Sequence, residues 1–242
     1  AMHIRGTAVV DVIYAAAGGA VRRFVLENQL PFVVDYSDAS LKPDLGVEVK
    51  THAQWEEFVV NDGRGIRIEL AVTGTAKAYR KQAVRVLTDL ACPSDESIET
   101  RKETLYVDNL VNEKVQQSTA QGVIELREAD PPIRELLRAT ARPQVNDYRI
   151  DEDKITIDGV LDVEFIYLAY TDEELKPLHA VHFPGAIPFQ QTIIVGGVQP
   201  GMKLNLDAQV KDVKTDLINR ETVEVFAAVR TEVQVLEEVR TD

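Results

Sequence analysis

Sulfur chemistry is nearly absent: Cys92 is the one cysteine among 242 residues. No intramolecular disulfide can form, which excludes a disulfide-stapled secreted scaffold. No basic neighbour accompanies Cys92, so it reads as a small apolar side chain at a strand end, not a reactive thiol. Histidine is scarce too, with only His3, His52, His179 and His182. His179 and His182 are the one close pair, and on a strand residues three apart face opposite sides, so no metal site is expected. HExxH, GxSxG and CxxC spacings are all missing. No apolar run approaches the roughly 18 residues of a membrane span. The opening AMHIRGTAVVDVIYAAAGG lacks a basic segment followed by an unbroken apolar core, so no signal peptide is expected. Positive charge is short as well: 27 Lys and Arg stand against 40 Asp and Glu, a net charge of −13. That balance excludes nucleic acid and anionic membrane surfaces as partners, since both need a basic face.

What is present is alternation, and it occurs twice. Leu30-Pro31-Phe32 matches Ile187-Pro188-Phe189 at a shift of 187 − 30 = 157 residues. At the same shift Val47 and Val49 meet Leu204 and Leu206, and Ile66, Ile68, Leu70 and Val72 meet Val223, Val225, Ala227 and Val229. Upstream, Ile4–Tyr14 alternates as Ile157–Tyr167 does, with Gly6 matching Gly159 and Tyr14 matching Tyr167 at a shift of 153. Period two with apolar residues on one face predicts half-buried strands. The four-residue growth in shift falls between Ala15–Ala20 and Leu168–Pro177, a hairpin loop where insertion is tolerated. Repetition on this scale predicts two tandem domains.

Asn61-Asp62-Gly63 predicts a tight hairpin turn, because all three residue types tolerate positive φ. The same NDGRG stretch has the glycine content of a phosphate-binding loop, but no Lys-Ser/Thr follows and a strand comes next, so the turn reading prevails. Between the repeats, Val84–Leu90, Glu103–Val111 and Val115–Leu126 read as strands, with a polar loop at Pro93–Lys102. Asp130-Pro131-Pro132 followed by Ile133, Leu136 and Leu137 predicts a short helix over 131–141, capped by Asp130. A turn is expected at Asn146-Asp147. The second repeat is thus preceded by a strand and a helix, whereas the first has no such lead-in: either it does without one, or another chain supplies it.

Carboxylates gather at Asp95, Glu96 and Glu99, at Asp151-Glu152-Asp153 and at Asp172-Glu173-Glu174. All fall in expected loops, without the spacing of a calcium loop or a paired-carboxylate cleft, and read as solvated turns. Trp55 and Phe58 stand where the second repeat has Asp212 and Thr215. An exposed aromatic pair suits an interface anchor or a sugar platform, and core packing is the competing reading.

Several blocks carry a family likeness: ETLYVDNLV at 103–111, GVIEL at 122–126, PPIRELL at 131–137, KITIDGVLDVEFIYL at 154–168, IPFQQTIIVGGVQPGMKLNLDAQVKDV at 187–213 and LINRETVEVFAAV at 217–229. In these the chain resembles the SPOCS domain of the SipL family of spore coat assembly proteins. The resemblance covers roughly the last 140 residues, and reaches the first 80 through the repeat. It implies a non-catalytic role in spore coat morphogenesis through protein contacts. Some family members carry a C-terminal LysM module; none follows here, so a LysM-mediated role is not expected.

Taken together these readings predict an all-β chain of two tandem small antiparallel sandwiches or open barrels, with a short helix near 131–141. The first domain spans 1–100, a divergent SPOCS-like copy without its lead-in, and the second spans 101–242. The expected function is structural, not enzymatic, with no catalytic, cofactor or metal residues: a spore coat or extracellular filament subunit polymerising through strand exchange or edge pairing. The long final strand suggests an open edge. The candidate interface is therefore Trp55, Phe58, Thr222, Val223, Val225, Val233 and Val235. Its partner is a second copy of the chain or a spore coat morphogenetic protein, in the mother cell, the spore coat or an extracellular filament. The alternative is a carbohydrate or peptidoglycan binding module built on Trp55.

Overall fold

The structure, a computed structural model, describes residues 1–16, 18–39, 41–42, 45–63, 65–80, 85, 104–170 and 178–241. Cys92, Pro43, the carboxylates at 95–99 and 172–174, the Pro93–Lys102 loop and, apart from Arg85, the strand expected at Val84–Leu90 lie outside them. So does most of the lengthened loop at Leu168–Pro177.

The described residues form ten strands: β1 (Met2–Ala15), β2 (Val21–Tyr36), β3 (Gly46–Asn61), β4 (Gly65–Tyr79), β5 (Leu105–Glu125), β6 (Ile133–Asp151), β7 (Lys154–Ala169), β8 (Leu178–Ile194), β9 (Lys203–Leu217) and β10 (Thr222–Thr241). The chain is all-β; among the described residues every pairing is antiparallel and no barrel closes. It divides into two compact units, residues 1–85 and 86–242.

The second unit is a sandwich of two three-stranded sheets, ordered β5-β10-β9 and β6-β7-β8. Across the gap β5 packs against β8 and β6 against β9. On central strand β7, Ile155, Ile157, Leu161, Val163, Phe165 and Tyr167 all point inward and are fully buried. Each such side chain contributes on the order of 1.5–3 kcal/mol by leaving water. The buried apolar side chains form two clusters. Between them Thr231 donates its hydroxyl to Gln191 Oε1 at 2.5 Å, a buried polar rung from β10 to β8.

The expected helix over 131–141 is instead the first half of β6. Bulges between Ile133 and Glu135 and between Leu136 and Arg138 shift the alternation twice within six residues. Ile133, Leu136 and Leu137 thereby acquire helical spacing while lying on a strand. Asp130 caps no helix; its carboxylate accepts bonds from the Arg127 backbone N–H and Nε, closing a turn over 127–130. Asn146-Asp147 likewise is not a turn but a third bulge, between Val145 and Asp147. The chain turns later, at Asp151–Lys154, where Asp153 has φ 54°. The two strands expected at 103–111 and 115–126 are one, β5, with an irregularity opposite Val235 and Leu236.

The first unit has two hairpins, β1-β2 and β3-β4. As the sequence requires, Asp62 and Gly63 turn the second hairpin with φ of 47° and 64°. The pairing of β1 with β2 parallels that of β7 with β8: Gly6 lies opposite Phe32, and Gly159 opposite Phe189. In both places the glycine leaves room for the phenylalanine ring. The β3-β4 hairpin likewise parallels β9-β10. Nothing described in the first unit corresponds to β5 and β6.

Candidate functional site

Over most of its length the last strand is not an edge. From Val223 to Leu236, β10 is paired with β5 on one side and β9 on the other. Val223, Val225, Val233 and Val235 are fully buried in the sandwich core, and Thr222 pairs with Glu125 at the strand's start. The four valines offer no surface to a partner, and Thr222 is only partly exposed. Alternation misled because a central strand of a sandwich alternates just as an edge strand does.

Trp55 and Phe58 do reach the surface, 55% and 50% exposed, their rings edge to face at 6.4 Å. Register explains where they point. Trp55 lies opposite Leu70 and Phe58 opposite Ile68, with a bulge at Glu56 between them. Directly opposed residues share a face. That face is the inner one: Ile68, Leu70 and Val72 line a cavity of about 220 Å³ with Ala8, Leu30 and Phe32 of the other hairpin. Phe58, Val60 and Ile66 line a larger one of about 640 Å³ with Ile13, Tyr14 and Phe24. An aromatic pair on the core-facing side is half exposed because nothing described covers it.

The second unit shows what covers the matching place. There the bulge on β9 falls at Lys211, so by register the counterpart of Trp55 is Val213, opposite Ala227, and not Asp212. Phe58 corresponds to Thr215, as the sequence suggests. Val210 and Val213 pack into the core with Leu136, Ala139 and Ala141 of β6. The aromatic pair of the first unit therefore faces the position that β6 fills in the second. Among the described residues β1 pairs only with β2 and β4 only with β3, whereas β7 gains β6 and β10 gains β5.

Charge separates the units as well. Residues 1–85 hold 11 Lys and Arg against 10 Asp and Glu, a net of +1, and residues 86–242 hold 16 against 30, a net of −14.

Other candidates for chemistry are dispersed. His179 stacks on Tyr167 at 5.8 Å, while His182 is exposed. His3 pairs with Asp35 at 2.6 Å on the surface. Among the described residues no three metal-ligating side chains converge. Asp153 is a structural carboxylate, accepting the Gly197 backbone N–H at 2.5 Å. The Tyr167 hydroxyl donates to the Pro131 carbonyl at 2.9 Å, and burial pushes its pKa up to about 12, with Asp130 adding to the rise. Sequence reasoning missed this contact; only the fold brings the β5–β6 connector to β7.

No curated protein and no solved structure matches the chain. Residues 132–218 match the family described as SipL, SPOCS domain. The match takes in β6, β7, β8 and β9, the strands that build most of the second unit's core, and it points to a spore-related, non-enzymatic role. Over residues 132–218 this chain is similar to the SPOCS domain of the SipL family.

Proposed function

We propose that the chain is a spore-associated assembly subunit whose first unit is a second, incomplete SPOCS-like copy that joins neighbouring molecules. One observation carries this reading. Among the described residues β1 and β4 each lack the neighbour that β7 and β10 possess, and the inner face of the unit carries half-exposed aromatics. Unpaired strand edges beside apolar surface invite pairing with another chain. Exchange of β5–β6 between copies is disfavoured, because each chain has one such segment and removing it would open its own second unit. A head-to-tail contact is favoured instead, since copies of the second unit at −14 repel each other. Such a contact does not close on itself and builds a filament. The sugar-platform reading is less well supported: the two rings stand at 85° to one another on the inward side and offer no flat stacking surface.

Light scattering of the purified chain across a wide concentration range tests this, together with negative-stain electron microscopy. Rising mass and filaments are expected. A monomer at every concentration with no filaments overturns the reading.

A further inference from the structure

A second uncovered inner face exists, on the second unit. β9 accompanies β10 only as far as Leu236, opposite Lys203. Beyond it β10 continues to Thr241, paired only with Leu105–Asn109 of β5. The result is a two-stranded ribbon running past the third strand of its sheet. Val107 and Val239 lie directly opposite each other on it and are 55% and 39% exposed. On β10, Val239 falls in the same alternation as the buried Val233 and Val235, one step beyond the exposed Glu237, so this pair lies on the core-facing side where no described strand faces it. Lys203 bridges the two strands at the ribbon's base, reaching Asp108 at 2.9 Å and Glu238 at 2.6 Å.

We propose that this ribbon, from a second copy of the chain, is what covers the open face of the first unit around Trp55 and Phe58. The inference rests on the assembly reading above and names its contact. Two features select the ribbon. An edge strand inside an intact sandwich is already faced by its own second sheet, so it cannot also be covered by β3. The ribbon has no such cover, and its Val107–Val239 face can lie over Trp55 and Phe58 as β6 lies over β9. It also belongs to the unit of net charge −14, so meeting the first unit at +1 avoids the repulsion that two second units would suffer. Both uncovered apolar faces are removed from water in one step.

Trp55 is the only tryptophan in the chain, so its fluorescence reports on the acceptor face alone. As full-length protein associates with concentration, its emission is expected to move to shorter wavelength, and acrylamide quenching to fall severalfold in step with scattered mass. Val107→Asp/Val239→Asp alters only exposed positions and is expected to stay monomeric with Trp55 fully quenchable. Phe58→Ser damages the opposite partner. Each variant alone is expected not to polymerise, and a mixture is expected to give a dimer and no polymer, because one intact ribbon then meets one intact acceptor. Association with Trp55 still fully quenchable overturns the inference and leaves the assembly reading standing. So does unchanged polymerisation of the ribbon variant. No association of the unmodified chain at any concentration overturns the assembly reading, and this inference with it.

Discussion

The two units build the same pair of hairpins and reach different ends. In the second, β5 and β6 flank the hairpins and the interior is dry: Leu161, Val163, Phe165 and Tyr167 are fully buried. In the first, Val10 and Val12 are the only described apolar residues that are fully sheltered, although the alternation is as regular. The difference is not in strand propensity or turn chemistry, which are alike. It lies in strands β5 and β6, which precede the second copy's hairpins and supply Ala120, Ile124, Ile133 and Leu137 to the core. Two hairpins with apolar faces make a stable sandwich only when their flanks are closed, because a face left half wet gains a fraction of the burial energy.

The sharpest way to break this comparison is a matched pair of core truncations. Phe165→Ala empties a fully buried site next to Phe183 and is expected to cost the second unit about 3–5 kcal/mol. Val12→Ala, at the matching place on β1, removes less volume from a half-open interior and is expected to cost roughly 1 kcal/mol or less. Urea unfolding distinguishes the two, since Trp55 fluorescence follows the first unit and far-ultraviolet circular dichroism follows both. The Trp55 transition should come first and be unmoved by Phe165→Ala. A single shared transition shifted by both variants would show that the units do not fold separately.

Much of this architecture was legible in the chain. Strict alternation gave the hairpins, and the Asn61–Gly63 turn gave the reversal of the second. The Gly6/Phe32 and Gly159/Phe189 matches gave the common register. What escaped was anything decided by bulges. Three bulges on β6 turned a strand into an apparent helix and a turn, and the displaced bulge between β3 and β9 paired Trp55 with the wrong counterpart. A bulge has no fixed sequence signature; it appears only when a partner strand keeps count. The edge was missed for a related reason. Whether Val223–Val235 is flanked on one side or two depends on β5, whose paired residues lie 223 − 124 = 99 to 235 − 112 = 123 positions earlier in the chain. Trp55 and Phe58 were found by their departure from the repeat, although what makes them notable, the missing cover, belongs to the fold.

A gentler probe uses the paired glycines. A methyl added at Gly159 would meet the Gln144 carbonyl oxygen of β6 at 2.5 Å and the Phe189 ring at 2.6 Å. Gly159→Ala must therefore shift backbone as well as ring, and is expected to cost about 1–3 kcal/mol. At Gly6 the added methyl would press only on the Phe32 ring, which borders open space. Gly6→Ala is expected to be milder, under ~1 kcal/mol, because no described strand stands behind it. Equal costs in urea denaturation would mean that a backbone already sits beside Gly6, and that the first unit is less open than described.

The smallest effect expected is one of pH, and it isolates the connector between β5 and β6. Tyr167 is fully buried with its hydroxyl bound to Pro131, while Tyr14, its counterpart, is partly exposed and packs edge to face on Phe24 at 5.8 Å. Burial raises the Tyr167 pKa from 10.0 to about 12, so the folded state holds the proton where the unfolded chain has released it. The stability this contributes is fully present below pH 10.0 and is lost as pH rises toward about 12. Tyr167→Phe should lower stability at neutral pH by about 1 kcal/mol through the missing hydrogen bond and flatten the decline across that alkaline window. Tyr14→Phe should leave stability at neutral pH nearly unchanged, because no described connector reaches its hydroxyl. If Tyr167→Phe keeps the full alkaline slope, the loss arises elsewhere in the unit, and the clasp of the β5–β6 connector on β7 is not what separates the two copies.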